Sequence, residues 1–325
     1  MNTIGLGNAL VDVLLRLETD EVLREIGMRK GAMDMIDRDQ MIAIRTAQEH
    51  LPRTRTPGGS VCNTMRAMSY LGASSGFIGK IGDDAVGEFY KDAIEKAGVT
   101  PHLIRTEGVS GSCTVLISPD GERTMGTFLG PGPTIMPEEI TEEMLSPYQC
   151  IYIEGYLLVN EPLVRSTMEK ARRLGLKVAL DLSNFNIVNT FKGMLEDIIP
   201  KYVDILFANE SEAEAYTGQK AAEAVRTLSE QVEVSLVTLG REGALIGSHG
   251  QFYSVPAEGG KPVDTTGAGD NFAAGFLYGQ SVGASFVRSA RIGSILAGYV
   301  IDVVGPQIPD DKWEQIKLKV KGILA

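Results

Sequence analysis

CIYIE (150–154), KVALD (177–181), ILFA (205–208) and VSLVT (234–238) are four short apolar runs, each rich in residues that favour strands. Helical stretches separate them near Asn160–Arg173, Ile187–Ile199 and Glu210–Thr217. Strand and helix alternating at this spacing predict right-handed crossovers and a parallel sheet covered on both faces. The same rhythm extends towards the N-terminus. Ser75–Gly79 reads as a strand between helices over Asn63–Leu71 and Ala85–Lys96, the latter stopped by Gly98.

Two stretches interrupt the pattern, residues 13–50 and 102–133. The second contains Ser112–Ser118, a Pro119-Asp120-Gly121 turn and Arg123–Phe128, which together signal a β-hairpin. A hairpin inserted into an α/β chain suits a flap over the carboxyl edge of the sheet, where ligands bind. The expectation is one doubly wound α/β domain over 1–325. Its sheet is mostly parallel with helices on both faces, and a small discontinuous β lid is formed by the two stretches.

The 325 residues are 43% hydrophobic and 22% charged, a globular composition. The net charge of −11 argues against a nucleic-acid partner. Cys62, Cys113 and Cys150 are widely spaced, and His50, His102 and His249 are isolated, so no disulfide framework or zinc site is legible. The pattern suits a reducing cytoplasm. No run is long enough to span a membrane, and Ile292–Val304 reads as a buried helix. MNTIGLGNALVDVLLRL lacks a basic leader and reads as a strand rather than a signal peptide.

Neither Lys80, followed by Ile81, nor Lys261, followed by Pro262, completes a phosphate-binding Walker loop. Gly5 to Leu10 begins like a dinucleotide fingerprint but lacks its final small residue, so an oxidoreductase rests on that fragment alone. VDTTGAGDNF (263–272) carries more chemistry. A turn of small residues feeds a helix beginning near Gly269, and the free N–H groups there form an anion nest. Asp270 reads either as a charge stabilising the helix N-terminus or as a base beside that nest. In GGSVCN (58–63), Ser60 or Asn63 reads as a helix cap. Alternatively, Gly58 and Gly59 admit a hydroxylated ligand that Asn63 binds as both donor and acceptor.

These motifs resemble the ribokinase-like (PfkB) sugar-kinase family. DTTGAGDNFAAGFL matches its C-terminal signature, and GGSVCN with the following TMRAMSYLGASSGFIGKIGDDAVG matches the N-terminal one loosely. Val61, GNALVD, YIEGYLL (152–158) and YVDILFANESEA (202–213) look like the adenosine-kinase branch.

The resemblance implies an ATP-dependent, Mg²⁺-assisted kinase acting on a primary hydroxyl of adenosine or a related nucleoside. Asp270 would be the base, and Gly267, Ala268 and Gly269 the anion hole. Asp12 would bind the sugar hydroxyls with Asn8, Gly58, Gly59 and Asn63. Asn209 and Glu212 would organise Mg²⁺ and phosphate through water, Glu212 on the metal side, and Asn209, Thr238, Gly240 and Gly243 would bind the nucleotide. Asp264 and Thr266 would bind a monovalent cation such as K⁺, and Arg123 would reach the phosphates.

Blander readings stand beside these. Asp12 reads as a hydrogen-bonded structural carboxylate, Glu212 as a solvated charge, Arg123 as an exposed hairpin residue and TLGREG as a turn. Tyr156 and Leu157 stand where that branch carries aromatics for the base, and Met33 and Met35 where its lid approaches the base. Core and lid packing explain them equally. A free-sugar kinase and a catalytically silent binding protein are the rival functions. A monomer and a homodimer paired through the lid both remain open.

Overall fold

The structure is a computed structural model and describes residues 1–259 and 262–325, so Lys261 lies outside it. The first half contributes β1 (Thr3–Leu6), β2 (Leu10–Arg16), β3 (Met33–Met35), β4 (Arg53–Gly58), β5 (Ser75–Gly82), β6 (Val99–Thr106), β7 (Gly111–Ile117) and β8 (Arg123–Phe128). The second half adds β9 (Cys150–Glu154), β10 (Lys177–Asp181), β11 (Ile205–Asn209), β12 (Val234–Thr238), β13 (Ala244–Ser248) and β14 (Gln251–Val255).

Among the described residues, a nine-stranded sheet runs in the order β14-β13-β12-β11-β10-β9-β1-β5-β6. It is parallel from β12 through to β6, and β13 and β14 close one edge antiparallel. β1, β5 and β9 are buried along their whole lengths because helices cover both faces, which is why they read as unbroken apolar runs. Alternate residues of β9 enter opposite layers. Cys150 and Tyr152 join Phe77, Phe207 and Phe276, whereas Ile151 and Ile153 join Ile4, Leu6 and Leu180.

A five-stranded sheet, β3-β8-β7-β2-β4, stands beside the first. Val11, Val13 and Leu15 of β2 turn inward with Leu23 and Ile44 from the helices Glu21–Glu25 and Arg38–Ala47. The opposite face carries Asp12, Leu14, Val115 and Met125 towards a cavity. Residues 102–106, expected in this lid, belong to the large sheet, where β6 pairs with β5 from Val99 to Thr106. The half-exposed edge strand β6, carrying Pro101, lacks the continuous apolar signature of its neighbours. β2 also begins at Leu10, earlier than the boundary of 13 read from the sequence.

Local backbone demands explain two other differences. The helix expected from Asn63 begins at Ser60, because Gly59 turns the chain into it with φ +92°. The stretch Ile187–Ile199 divides into helices Phe185–Thr190 and Lys192–Tyr202 at the non-helical Phe191.

The chain runs outward from β1 through β5 to β6, then returns to the other side of β1 and continues through β9 to β12. The crevice where that order reverses lies at the carboxyl ends of β1 and β9. Asn8 and Glu154 sit at those two ends, and the cavity of about 540 Å³ opens above them. Helix Ala268–Ser281 brings its N-terminus to the same place, held against helix Phe286–Val300 by close backbone packing. A Cβ on Gly275 would lie 2.5 Å from the Gly293 nitrogen. Gly275→Ala should therefore push the helices apart and cost about 1–3 kcal/mol. Urea unfolding checks this, and an unchanged midpoint contradicts it.

Candidate active site

Helix Ala268–Ser281 starts on Gly267, whose φ of +76° is the left-handed conformation that glycine tolerates. No side chain caps the helix. The Ala268 N–H donates to the Thr265 carbonyl and the Asn271 N–H to the Gly267 carbonyl. The N–H groups of Gly269 and Asp270 have no acceptor among the described residues. A Cβ on Gly269 would meet nothing, so the approach to these donors is clear.

The Asp270 carboxylate is held from outside its own helix. Ser60 Oγ donates to Oδ1 at 2.6 Å and Asn63 Nδ2 to Oδ2 at 2.9 Å. Thr64 Oγ1 donates to the Asp270 carbonyl at 3.1 Å. Ser60 and Asn63 do not cap their helix, whose N-cap is Gly59. Their polar atoms are thus free to fix Asp270. Burial pushes its carboxyl above the usual range, and the Ser60 and Asn63 hydrogen bonds oppose that rise.

Asp12 faces the cavity from β2 with no protein donor to its carboxylate among the described residues. The carboxylate lies flat against Gly58, where a Cβ would sit 2.4 Å from either oxygen. Gly58 therefore makes room for Asp12 rather than lining the cavity itself. Burial pushes the Asp12 carboxyl from 3.8 up to about 7, and the nearby Asp270 charge adds to the rise. An unbonded carboxylate aimed into a cavity is suited to accept ligand hydroxyls.

Asn8 is tied down beneath it. Its backbone N–H and its Nδ2 donate to Glu154 Oε1 at 2.9 and 2.6 Å, and the Val61 N–H reaches Oε2 at 3.3 Å. Glu154 is only 2% exposed, and burial raises its carboxyl to about 7. This carboxylate clamps the loop after β1 to the N-terminus of helix Ser60–Tyr70. Sequence reasoning missed Glu154, Ser60 and Asp181. Two of them carry a legible signal, a carboxylate closing an otherwise apolar strand at the edge where ligands bind.

Asn209 and Glu212 form a reciprocal capping box at the end of β11. The Asn209 N–H and Nδ2 donate to the Glu212 carboxylate at 2.8 and 2.7 Å, and Asn209 Oδ1 accepts from the Glu212 N–H at 3.0 Å. Glu212 is buried, so it is not a solvated charge. Asp181, at the end of β10, also lines the cavity. Burial raises both carboxyls. Asp270 pushes Asp181 further up, and Asp181 does the same to Glu212. The two-carboxylate set fits a divalent cation held through its water shell. No third carboxylate, histidine or cysteine groups with them as a direct ligand among the described residues.

Thr238 lines the cavity, but Gly240 and Gly243 do not. They belong to the turn between β12 and β13, where Gly243 has φ +98° and a Cβ would strike the Val255 carbonyl at 1.9 Å. Both glycines serve this turn, whose strand β12 ends on the cavity-lining Thr238.

The side-chain oxygens of Asp264 and Thr266 are already engaged. Asp264 Oδ1 accepts from the Thr266 N–H at 3.0 Å and from Thr266 Oγ1 at 2.8 Å. Oδ2 accepts from the Gly305 N–H at 2.7 Å and pairs with Arg123 Nη1 at 2.8 Å. Burial alone would raise this carboxyl, but the Gly305 and Thr266 hydrogen bonds and the Arg123 charge outweigh it and hold the value low. The side chains of Asp264 and Thr266 do not fit the monovalent cation expected there, because a guanidinium already neutralises the carboxylate. Arg123 is correspondingly half-buried rather than exposed, with its side chain 12% accessible, and it lines the cavity.

The far wall is apolar. Leu14, Val115, Met125, Met33 and Met35 from the small sheet face Tyr156, Ile187 and Phe207 from the large domain. Met33 and Met35 are 57% and 62% exposed, so they are not lid core. Leu157, by contrast, packs into the core below.

Comparison with known proteins fits this geometry. The chain matches the pfkB family of carbohydrate kinases over residues 33–313 and belongs to that family. It is 29% identical to the adenosine kinase of Saccharomyces cerevisiae, across 95% of this chain and 97% of that protein. Among solved structures, a probable sugar kinase from Rhizobium etli superposes with TM-score 0.88 at 28% identity, covering 99% of this chain and 98% of the other. The adenosine kinase of Sinorhizobium meliloti gives TM-score 0.86 at 30% identity, covering 98% of both chains. The protein is therefore an ATP-dependent kinase of the nucleoside or sugar class, with a ribokinase-like fold. Membership implies ATP and a divalent metal ion. No helix among the described residues is long and apolar enough to cross a membrane.

The raised Asp12 carboxyl yields a stability prediction. Its value of about 7, against 3.8 when unperturbed, means that the folded state binds the proton more tightly than the unfolded state. That contribution to stability is complete below about pH 4 and is lost as pH rises through about 7. Asp12→Asn should therefore raise the Tm at pH 8 by about 1–2 °C, on the order of 1 kcal/mol, with the gain vanishing near pH 4. A gain that is the same at both pH values contradicts this reading.

Proposed function

We propose that this chain transfers the γ-phosphoryl group of ATP to the primary hydroxyl of a nucleoside, with adenosine the favoured substrate. The observation that carries the reading is the methionine-rich face of the small sheet, opposed to Tyr156 across the cavity from Asp12. A purine gains dispersion and sulfur–aromatic contact against such a wall, whereas a free sugar leaves it wet. The adenosine kinases among the relatives support the same choice.

In this reading the ribose hydroxyls donate to Asp12, and Asn63 adds polar contact through its unpaired Oδ1. Asn8 lines the same floor, oriented by Glu154. Asp270, ionised and fixed by Ser60 and Asn63, accepts the hydroxyl proton as the oxygen attacks phosphorus. The Gly269 and Asp270 N–H groups donate to the oxygens of the transferring group, with the helix dipole behind them. Gly267 and Ala268 provide the turn that aims those groups. The ATP phosphates lie between this helix end and Asn209, and the nucleoside portion lies towards Thr238. A bound Mg²⁺ supplies charge neutralisation on the phosphate oxygens, and Asp181 and Glu212 would hold its water shell. The small sheet excludes water that would otherwise compete as the nucleophile. The buried, unpaired thiols of Cys62, Cys113 and Cys150 fit a reducing cytoplasm.

One experiment tests chemistry and substrate together. With ATP and Mg²⁺, kcat/KM is measured for adenosine, inosine, ribose and fructose, for the wild type and for Asp270→Asn. Adenosine should lead the free sugars by more than about tenfold. Asp270→Asn should fold normally and lose on the order of 10²–10⁴ in kcat. A free sugar ahead by about tenfold overturns the nucleoside assignment in favour of a sugar kinase. Near-normal turnover by the variant overturns the base assignment. Ligand binding without turnover of any substrate indicates a silent binding protein.

A further inference from the structure

The loop before the anion hole is built around one carboxylate. Asp264 accepts two N–H groups and a hydroxyl from the protein, and its remaining charge meets the guanidinium of Arg123. Arg123 opens β8 of the small sheet, whereas Asp264 belongs to the segment that leads through Gly267 into the helix carrying Asp270. The pair thus joins the two sheets. Arg123 Nη1 also donates to Thr266 Oγ1 at 3.1 Å, so it grips both side chains that shape the turn. Both partners are nearly buried, with side-chain exposures of 12% and 13%. Removing either leaves an uncompensated charge.

We infer that Arg123 is an internal positioning cation, which sets the anion-hole loop through Asp264 and Thr266 and removes any need for a bound monovalent metal ion. Closing the small sheet then both seals the cavity and completes the loop. A disengaged Arg123 leaves the Asp264 carboxylate unpaired and the Gly267 turn free to shift. The consequence is directional. Loss of Arg123 weakens transition-state stabilisation by the Gly269 and Asp270 N–H groups rather than the initial capture of ATP. This inference rests on the kinase reading of the same site, but its first test does not require turnover.

The first measurement is the Tm of the wild-type protein in KCl, NaCl and tetramethylammonium chloride at equal ionic strength. Equal values are expected. Selective stabilisation by K⁺ means that an ion occupies the loop, and it overturns the proposal whether or not the substrate assignment holds. The second uses ATP with whichever substrate the wild type phosphorylates. Wild-type rates should be equal in the three salts. Arg123→Ala should lose on the order of 10²-fold in kcat, with the KM for ATP within about twofold.

Added guanidinium ion, at concentrations well below those that unfold proteins, should restore Arg123→Ala by about tenfold or more. It should not restore Arg123→Ala/Asp264→Asn, because the ion has lost its partner. The double variant should be no slower than the slower single variant. If Arg123→Ala does not fold, Arg123→Lys keeps the charge without the guanidinium fork and should retain activity within about tenfold of the wild type in all three salts. A raised KM for ATP with unchanged kcat, additive losses in the double variant, no guanidinium rescue, or K⁺-dependent Arg123→Lys turnover each overturns the proposal.

Discussion

The grip of Ser60 and Asn63 on the Asp270 carboxylate is the contact on which the site depends. It requires two helices, far apart in sequence, to begin at the same point. Each begins on a glycine with positive φ, Gly59 at +92° and Gly267 at +76°, and neither uses a side-chain cap. The uncapped starts matter chemically. One frees Ser60 and Asn63 to reach across, and the other leaves N–H groups facing the cavity. A conventional serine or aspartate cap at either helix would satisfy the local backbone and dismantle the site.

The rest of the cavity is organised by buried negative charge. Asp12, Glu154, Asp181, Glu212 and Asp270 all carry carboxyls pushed upward, chiefly by burial. Such a concentration costs folding stability, as functional sites commonly do. Arg123, paired with Asp264, and the buried Arg66 offset part of that charge at Asp12. The remaining carboxylates face a region suited to a cation, protons and ligand hydroxyls. Glu154 is the exception, since it spends its charge on backbone N–H groups and joins the ends of the two strands flanking the topological reversal.

Much of this was legible in the sequence because it depends on local chemistry. Unbroken apolar strands announced the parallel sheet, and DTTGAGDNF announced the helix start with a carboxylate beside it. What escaped depends on long-range pairing. Ser60 lies 210 residues from Asp270 in the chain, and nothing local says that its hydroxyl points there rather than into its own helix. β6 is a half-exposed edge strand, so residues 102–106 resembled the hairpin that follows them. Asp264 and Thr266 have the oxygens that a cation needs, but their sequence does not reveal that Arg123, 141 residues earlier, meets that carboxylate. Gly240 and Gly243 carry both a turn reading and a nucleotide-loop reading, because turn glycines and ligand-approach glycines look alike in sequence; the structure adds that they sit in the β12–β13 turn.

The central claim is that an ionised, pre-oriented Asp270 removes the proton from the substrate hydroxyl. The pH dependence of single-turnover phosphoryl transfer at saturating ATP, Mg²⁺ and nucleoside tests it most directly. Asp270 is held above the usual carboxylate range by burial, and Asp12 and Glu154 rise to about 7. The rate should therefore be constant on the alkaline side and fall with acid, its midpoint above the value of about 4 of an unperturbed carboxylate. A rate that stays flat down to about pH 4 would contradict the account.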